Sequence, residues 1–291
     1  MLTGKAEAVS HGAATIINAI ATGNGAAVGV DLWTKAAVAL TDEVSHVDVV
    51  IRSDSSENPA LAQKTVERVL GHFGLEKEFG AKVETTSTIP VAKGMKSSSA
   101  AANAIALATT TALNRSLDDV TVVKLGVDAA LDAKVTITGA FDDACASYFG
   151  GVVITDNTER KIVKRFELTE TPAVLFYVPP KKAYTVGSDV KRMKAMADAV
   201  SIVYNQALDG NYWAALTLNG LIFSSALGYD PSPAADAITA GAVASGLSGT
   251  GPAVCAIVAD EKVDAVKNVW QKREGEILEA RVNLEKARVV C

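Results

Sequence analysis

Cysteine is scarce in this 291-residue chain: Cys145, Cys255 and Cys291 are too few and too scattered for a disulfide framework or a cysteine-rich zinc site. The three histidines, His11, His46 and His72, show no metal-ligand spacing either. Aromatic residues make up only 5%, so much of the apolar 49% is alanine and valine, and the backbone must pack closely. An excess of positive charge is also missing. Lys+Arg 28 against Asp+Glu 33 leaves a net charge of −5. That balance argues against a general nucleic-acid binder, which needs a broad basic face, although it permits a small basic pocket for a phosphorylated ligand. Long apolar runs are lacking too. The nearest approach, Gly12 to Val30, is broken by Asn18, Thr22, Gly23, Asn24 and Gly25, and only Lys5, beside Glu7, stands before it. It predicts neither a membrane span nor an export signal, and the expected location is the cytoplasm.

The two common nucleotide motifs are absent as well. A Walker A loop needs Gly-x-x-x-x-Gly-Lys-[Ser/Thr], yet Gly94 is followed by Met95 and Gly4-Lys5 by Ala6. The Rossmann pattern fails at Gly23-Asn24-Gly25, whose next glycine is Gly29 and around which no βαβ unit is legible.

What is present reads as an α+β chain of two halves, 1–160 and 161–291, whose layers share a face. Short apolar runs at Ala14–Ile20, Ala26–Leu32, Lys35–Leu40 and Val47–Ile51 predict strands, with Gly23-Asn24-Gly25 as a turn. Asn58-Pro59 opens an amphipathic helix carrying Leu61, Val66, Val69, Leu70 and Phe73. Lys82–Thr88 alternates as a strand does, and the alanine-rich segment Ser97–Leu113 is a helix, followed by another at Asp118–Leu131. The second half has strand text at Val163–Leu168, Ala173–Val178 and Ala253–Ala259. Its helical text runs over Asp189–Ala226, Pro233–Ala244 and Glu261–Lys272, and Ile277–Val290 reads as a closing strand.

Three clusters carry chemistry. In Pro90-Val91-Ala92-Lys93-Gly94-Met95-Lys96-Ser97-Ser98-Ser99-Ala100 a strand, a loop and three serines lead into a helix. Free N–H groups and the positive dipole end make such a terminus an anion site, and serine hydroxyls can cap the helix, donate to phosphate or ligate magnesium. An ordinary capped helix with a solvated loop is the plain alternative. Gly246-Leu247-Ser248-Gly249-Thr250-Gly251-Pro252-Ala253 is either a backbone nest for an anion or a tight turn between helix and strand. In Thr138-Gly139-Ala140-Phe141-Asp142-Asp143-Ala144, the paired acids fit a helix cap, or the group that orients or deprotonates an attacking hydroxyl in phosphoryl transfer.

Together the clusters resemble the GHMP kinases. The run Pro90-x-x-x-Gly94-Met95-x-Ser97-Ser98-Ser99-Ala100 resembles their phosphate loop, Gly246–Ala253 their C-terminal glycine motif, and Ala13–Gly29 their N-terminal segment. Lys96 departs from the glycine most relatives carry. Gly-Met-Lys-Ser-Ser-Ser-Ala, with Thr-Gly-Ala-Phe-Asp-Asp-Ala-Cys-Ala-Ser-Tyr-Phe-Gly-Gly, is similar to the archaeal-type shikimate kinase family. The resemblance implies a ribosomal-protein-like N-terminal domain and a ferredoxin-like C-terminal domain with the active site between them. It also implies ATP with magnesium, and transfer of phosphate to the 3-hydroxyl of shikimate. Pro90, Lys93, Gly94, Met95, Lys96, Ser97, Ser98, Ser99 and Ala100, with Gly249, Thr250 and Gly251, would hold the nucleotide. Asp143 would be the catalytic carboxylate, with Asp142 its adjacent alternative. Ser98 and Asp132 would hold magnesium, Asp132 because it stands eleven residues before Asp143. For the shikimate carboxylate the candidates are Lys181, Lys182, Lys191 and Arg192. Arg192 is preferred for its bidentate fork, and a solvated charged helix face is the alternative. Lys5 resembles only loosely a lysine near the reacting hydroxyl of mevalonate kinases. A GHMP kinase for homoserine or mevalonate is the neighbouring reading, and a non-catalytic RNA-binding protein on a ribosomal-type fold is the reading of a different class.

Overall fold

The computed structural model describes residues 4–54, 57–90, 93–180 and 189–290. The short apolar runs of the N-terminal segment fuse into two long antiparallel strands, β1 (Lys5–Ile17) and β2 (Asn24–Thr41), in a register that sets Ala8 opposite Ala36 and Ala14 opposite Val28. The first half of β1 alternates, with Ala6, Ala8 and Ser10 buried, while from Gly12 onward both faces are covered. A strand buried on both faces reads as a continuous apolar run, which is why alternation alone does not reveal its length.

The remaining strands of this seven-stranded sheet are β3 (Val47–Ile51), β4 (Gly80–Ser87), β5 (Val152–Asp156), β6 (Lys161–Phe166) and β11 (Arg288–Val289). Strand β3 runs parallel to β4, so the chain must cross over between them, and α1 (Ala60–His72) makes that crossing. Asn58 starts the helix by accepting from the Ala60 amide at 2.9 Å. Helices α2 (Ser97–Ala112), α3 (Asp119–Asp132) and α4 (Phe141–Phe149) complete the layer. The side chain of Asp118 caps α3, accepting from the Thr121 amide at 3.0 Å. Helix α2 is central, packed on β1 and β2 and flanked by the other three helices. Its alanines allow this, because a helix with short side chains sits close to the sheet.

A second sheet, in the order β10 (Glu276–Arg281), β7 (Ala173–Val178), β9 (Val254–Val258), β8 (Ala244–Leu247), is antiparallel throughout. The helical text from Asp189 divides into α5 (Val190–Lys194), α6 (Ala197–Leu208) and α7 (Tyr212–Leu227), and α8 (Ser232–Thr239) and α9 (Val263–Trp270) follow. Helix α7 lies between β8 and β1 and meets β8 glycine to glycine: a Cβ on Gly220 would stand 2.4 Å from the Gly246 Cα. One apolar interior, including Ile16, Val28, Val174, Phe176, Leu216 and Phe223, fills the space between the two sheets. Among the described residues no helix is long and apolar enough to cross a membrane.

Sheet membership does not change at residue 160. Strand β6 stays with the first sheet, paired to β5, and the passage to the second sheet falls between Phe166 and Ala173. The tail expected as one closing strand also divides. Strand β10 belongs to the second sheet, Val282 then bridges to Val30, and β11 pairs with β1. Its last residues thus return to the first sheet.

Candidate active site

The phosphate loop and the acidic cluster open into one cavity of about 360 Å³. The loop reaches it by two conformations that the sequence supplies. Gly94 has φ +84°, and a Cβ there would come 2.7 Å from the Ser248 carbonyl oxygen, so only glycine passes. Lys96 takes a left-handed conformation, φ 63° and ψ 36°, and turns the chain into α2. Between them Met95 is fully buried in the core shared by both sheets, which anchors the loop. The first helical bond of α2 runs from the Ala100 amide to the Lys96 carbonyl. The amides of Ser97, Ser98 and Ser99 therefore have no helical acceptor, and these three residues line the cavity. Ala100 itself is buried in the core rather than facing a ligand.

The glycine-rich segment forms the opposite wall. Its first residues extend β8, so the loop proper begins at Ser248, whose hydroxyl donates to the Gly94 carbonyl at 2.8 Å and accepts from the Thr15 amide at 3.3 Å. Asn18 donates to the Gly249 carbonyl at 3.0 Å, while its own amide donates to Asn219 Oδ1 at 3.1 Å. These bonds join β1, the phosphate loop and the glycine loop across the two halves. Gly249, Thr250 and Gly251 all line the cavity.

The paired acids occupy the first turn of α4, which Ala140 enters in a left-handed conformation at φ 51°. Asp142 is held by Asn157 in two places: the Asn157 amide group donates to its Oδ1 at 2.8 Å, and its backbone N–H donates to Asn157 Oδ1 at 3.2 Å. Thr155 donates to that same amide oxygen at 2.7 Å and so fixes its orientation. Gly25 makes room, since a Cβ there would lie 2.6 Å from the Asp142 carboxyl. Burial, then the neighbouring Asp143 charge, pushes Asp142 up to about 7. Asp143 forms an ion pair with Lys96, Nζ to Oδ2 at 3.0 Å, both side chains being about nine-tenths buried. Burial raises Asp143 as well, and Lys96 pulls it back. Its other oxygen, Oδ1, is buried without a hydrogen-bond partner among the described residues. Lys96 therefore favours the charged form of Asp143, whereas burial beside that charge favours the protonated form of Asp142.

Several expected residues stand elsewhere. Asp132 does not reach the cavity: Arg68 grips it through Nε at 2.6 Å and Nη2 at 2.8 Å, between α1 and α3, and holds its pKa below the usual range. The metal role expected of it is corrected accordingly. Arg192 and Lys191 are exposed on α5, off the cavity lining, and Asp189 caps that helix through the Arg192 amide at 3.0 Å. Lys181 and Lys182 lie outside the described residues. Lys93 donates to the Pro179 carbonyl at 3.2 Å, so it ties the loop to the end of β7 instead of lining the cavity, and Pro90 does not line it either. Lys5 is exposed at the start of β1. Sequence reasoning passed over Thr15, Asn18, Asn103 and Asn157. Thr15, Asn18 and Asn103 line the cavity, and Thr15 Oγ1 and Asn103 Oδ1 are buried with no partner among the described residues. The signal was present at Thr15 and Asn18, two polar residues within an otherwise apolar strand text.

Magnesium takes hard oxygen donors. The hydroxyls of Ser97, Ser98 and Ser99, all on the cavity lining, are of that kind, so the residues present fit the ion.

Residues 60–151 match the family model of the GHMP kinases N terminal domain. The chain is 44% identical over 284 residues to the shikimate kinase of Methanosarcina mazei, covering 97% of this chain and 96% of that protein. It is 45% identical over 283 residues to the shikimate kinase of Methanothrix thermoacetophila, covering 97% and 95%. The mevalonate kinase of Methanococcus jannaschii superposes with a TM-score of 0.76 over 95% of this chain and 98% of that one. At 16% identity this speaks to the fold alone. Identity above two-fifths, sustained along nearly the whole of both chains, makes this protein a member of the GHMP kinases and, within them, of the shikimate kinase family.

Proposed function

We propose that the protein transfers the γ-phosphoryl group of ATP to the 3-hydroxyl of shikimate. The observation that carries this reading is the meeting, in one cavity, of an open helix N-terminus and a buried carboxylate with a free oxygen. The amides and hydroxyls of Ser97, Ser98 and Ser99 bind the phosphate groups, aided by the dipole of α2. Ser98 would hold magnesium, which when bound neutralises charge on the transferring group. Asp143 orients the acceptor hydroxyl and takes its proton. The acceptor O–H bond breaks, its oxygen bonds to the γ-phosphorus, and the bond from that phosphorus to ADP breaks. Asp142, whose protonated form burial favours and which Asn157 clamps, adds less competing charge than a free carboxylate would. The glycine loop is pinned in place on the cavity lining by Asn18 and Ser248. The cytoplasm, where ATP is maintained, is the place proposed for this reaction.

A coupled ADP-release assay with shikimate, homoserine and mevalonate tests the assignment. Turnover is expected with shikimate, and turnover with homoserine or mevalonate alone would refute it.

A further inference from the structure

We propose that Lys96 is a catalytic residue of the transfer, its ammonium serving the acceptor oxygen beside Asp143 and not the nucleotide phosphates. The inference rests on the kinase reading above. It contradicts the nucleotide-binding role that the position of Lys96 in the phosphate loop suggests.

The backbone gives the first reason. At φ 63° glycine sits without cost, yet the chain places a lysine there. A residue in a sparsely populated conformation persists only where its surroundings enforce it, and such places cluster at functional sites. The side chain gives the second. Lys96 is 12% exposed, with Nζ 3.0 Å from Asp143 Oδ2, so its ammonium is directed at the carboxylate. The third reason is the close approach of the other wall. A Cβ on Gly249 would lie 2.5 Å from Lys96 Nζ, so the backbone of the glycine loop runs directly against the ammonium.

The surroundings show what the ammonium faces. The same Cβ point on Gly249 is 3.7 Å from Thr15 Oγ1, so the Thr15 hydroxyl and the Lys96 ammonium both face Gly249. Thr15 Oγ1 and Asp143 Oδ1 are both buried without partners among the described residues. Hydrogen-bonding capacity left open around Nζ suits an alcohol, which both donates and accepts. The phosphates have other donors in the serine amides, and Lys134 is exposed on the lining of the same cavity. An ammonium has three N–H donors, of which Asp143 uses one. A second, directed at the acceptor oxygen, stabilises the negative charge that grows there as the proton passes to Asp143. A fixed charge aimed at developing charge in a water-poor site is among the largest single contributions to catalysis.

Lys96→Met keeps most of the stem and removes the charge. With both substrates saturating, turnover should fall about 10²–10³-fold, while KM for ATP stays within about threefold of wild type. ADP binding by calorimetry should be unchanged, which also reports that the variant is folded. A rise in KM for ATP or Kd for ADP of about tenfold or more, with turnover retained, would overturn the inference. Lys96→Gly, which relieves the left-handed backbone, is the companion variant and should show the same split. If the wild-type protein phosphorylates homoserine or mevalonate and not shikimate, the substrate reading fails. The Lys96 split would then be measured on that alcohol, so the two failures are distinguishable.

Discussion

Replacing Asp143 with Asn keeps the shape of the side chain and removes its charge, at a position where the consequences for turnover and for stability are separable. The catalytic loss follows from chemistry: an amide cannot accept the acceptor proton, and general-base contributions are typically about 10²–10⁴-fold, so kcat should fall by about that factor. The stability loss follows from geometry. Lys96 Nζ stands 3.0 Å from Asp143 Oδ2 in a site where the lysine is only 12% exposed. The substitution leaves a buried ammonium facing a neutral amide oxygen. Removing one partner of a well-buried pair costs about 3–5 kcal/mol, and the amide oxygen, still an acceptor, reduces this to roughly 1–3 kcal/mol. For a chain of this size that is a fall in Tm of about 2–10 °C. The α2 terminus is untouched, so ADP should bind with wild-type affinity. Turnover by coupled ADP release, melting by calorimetry and ADP affinity by titration report the three effects. Near-normal turnover in Asp143→Asn would remove the base from this position. If Asp142→Asn then collapsed instead, the roles of the two acids would be reversed.

Asp142→Asn should be mild in turnover and informative in stability. A pKa raised from 3.8 to about 7 means that the folded state binds the proton more tightly than the unfolded chain. That contribution to stability is present below pH 3.8 and is lost as pH rises towards 7, so the Tm of the variant should gain on wild type across this interval; a constant difference would refute the burial argument. Ser98→Ala should raise KM for MgATP and leave KM for shikimate alone, and unchanged ATP kinetics would remove its hydroxyl from phosphate and metal. Thr15→Val deletes a buried hydroxyl that has no partner among the described residues, at nearly constant volume. Its KM for shikimate should rise about threefold to tenfold, the worth of one neutral hydrogen bond, with Tm unchanged or higher; an unmoved KM would show that the hydroxyl makes no acceptor contact.

The α+β class, the helix starting at the three serines, the acidic turn before α4 and the two glycine clusters were all legible from residue order. Each is a local rule: a glycine where φ must be positive, serines at a helix start, alanine in a helix interior. Local rules also led astray where the answer was not local. Asp132 matched a spacing, but spacing along a chain says nothing about Arg68, which stands 64 positions away and claims the carboxylate. The two fused strands β1 and β2 looked like short runs because burial changes along each: both faces are covered over residues 12–17 and 25–30, and the rest alternates. Asn157 and Asp142, 15 positions apart, meet only because β5 lies against the start of α4. Lys96 carries the clearest division. Its place in the phosphate loop was evident from the sequence, and by local logic a cation there faces phosphate. Whether it turns to the nucleotide or to Asp143 depends on a left-handed backbone, on the glycine loop that runs against its ammonium and on a carboxylate from another helix. Those three come together only when the two halves of the chain have packed on one core.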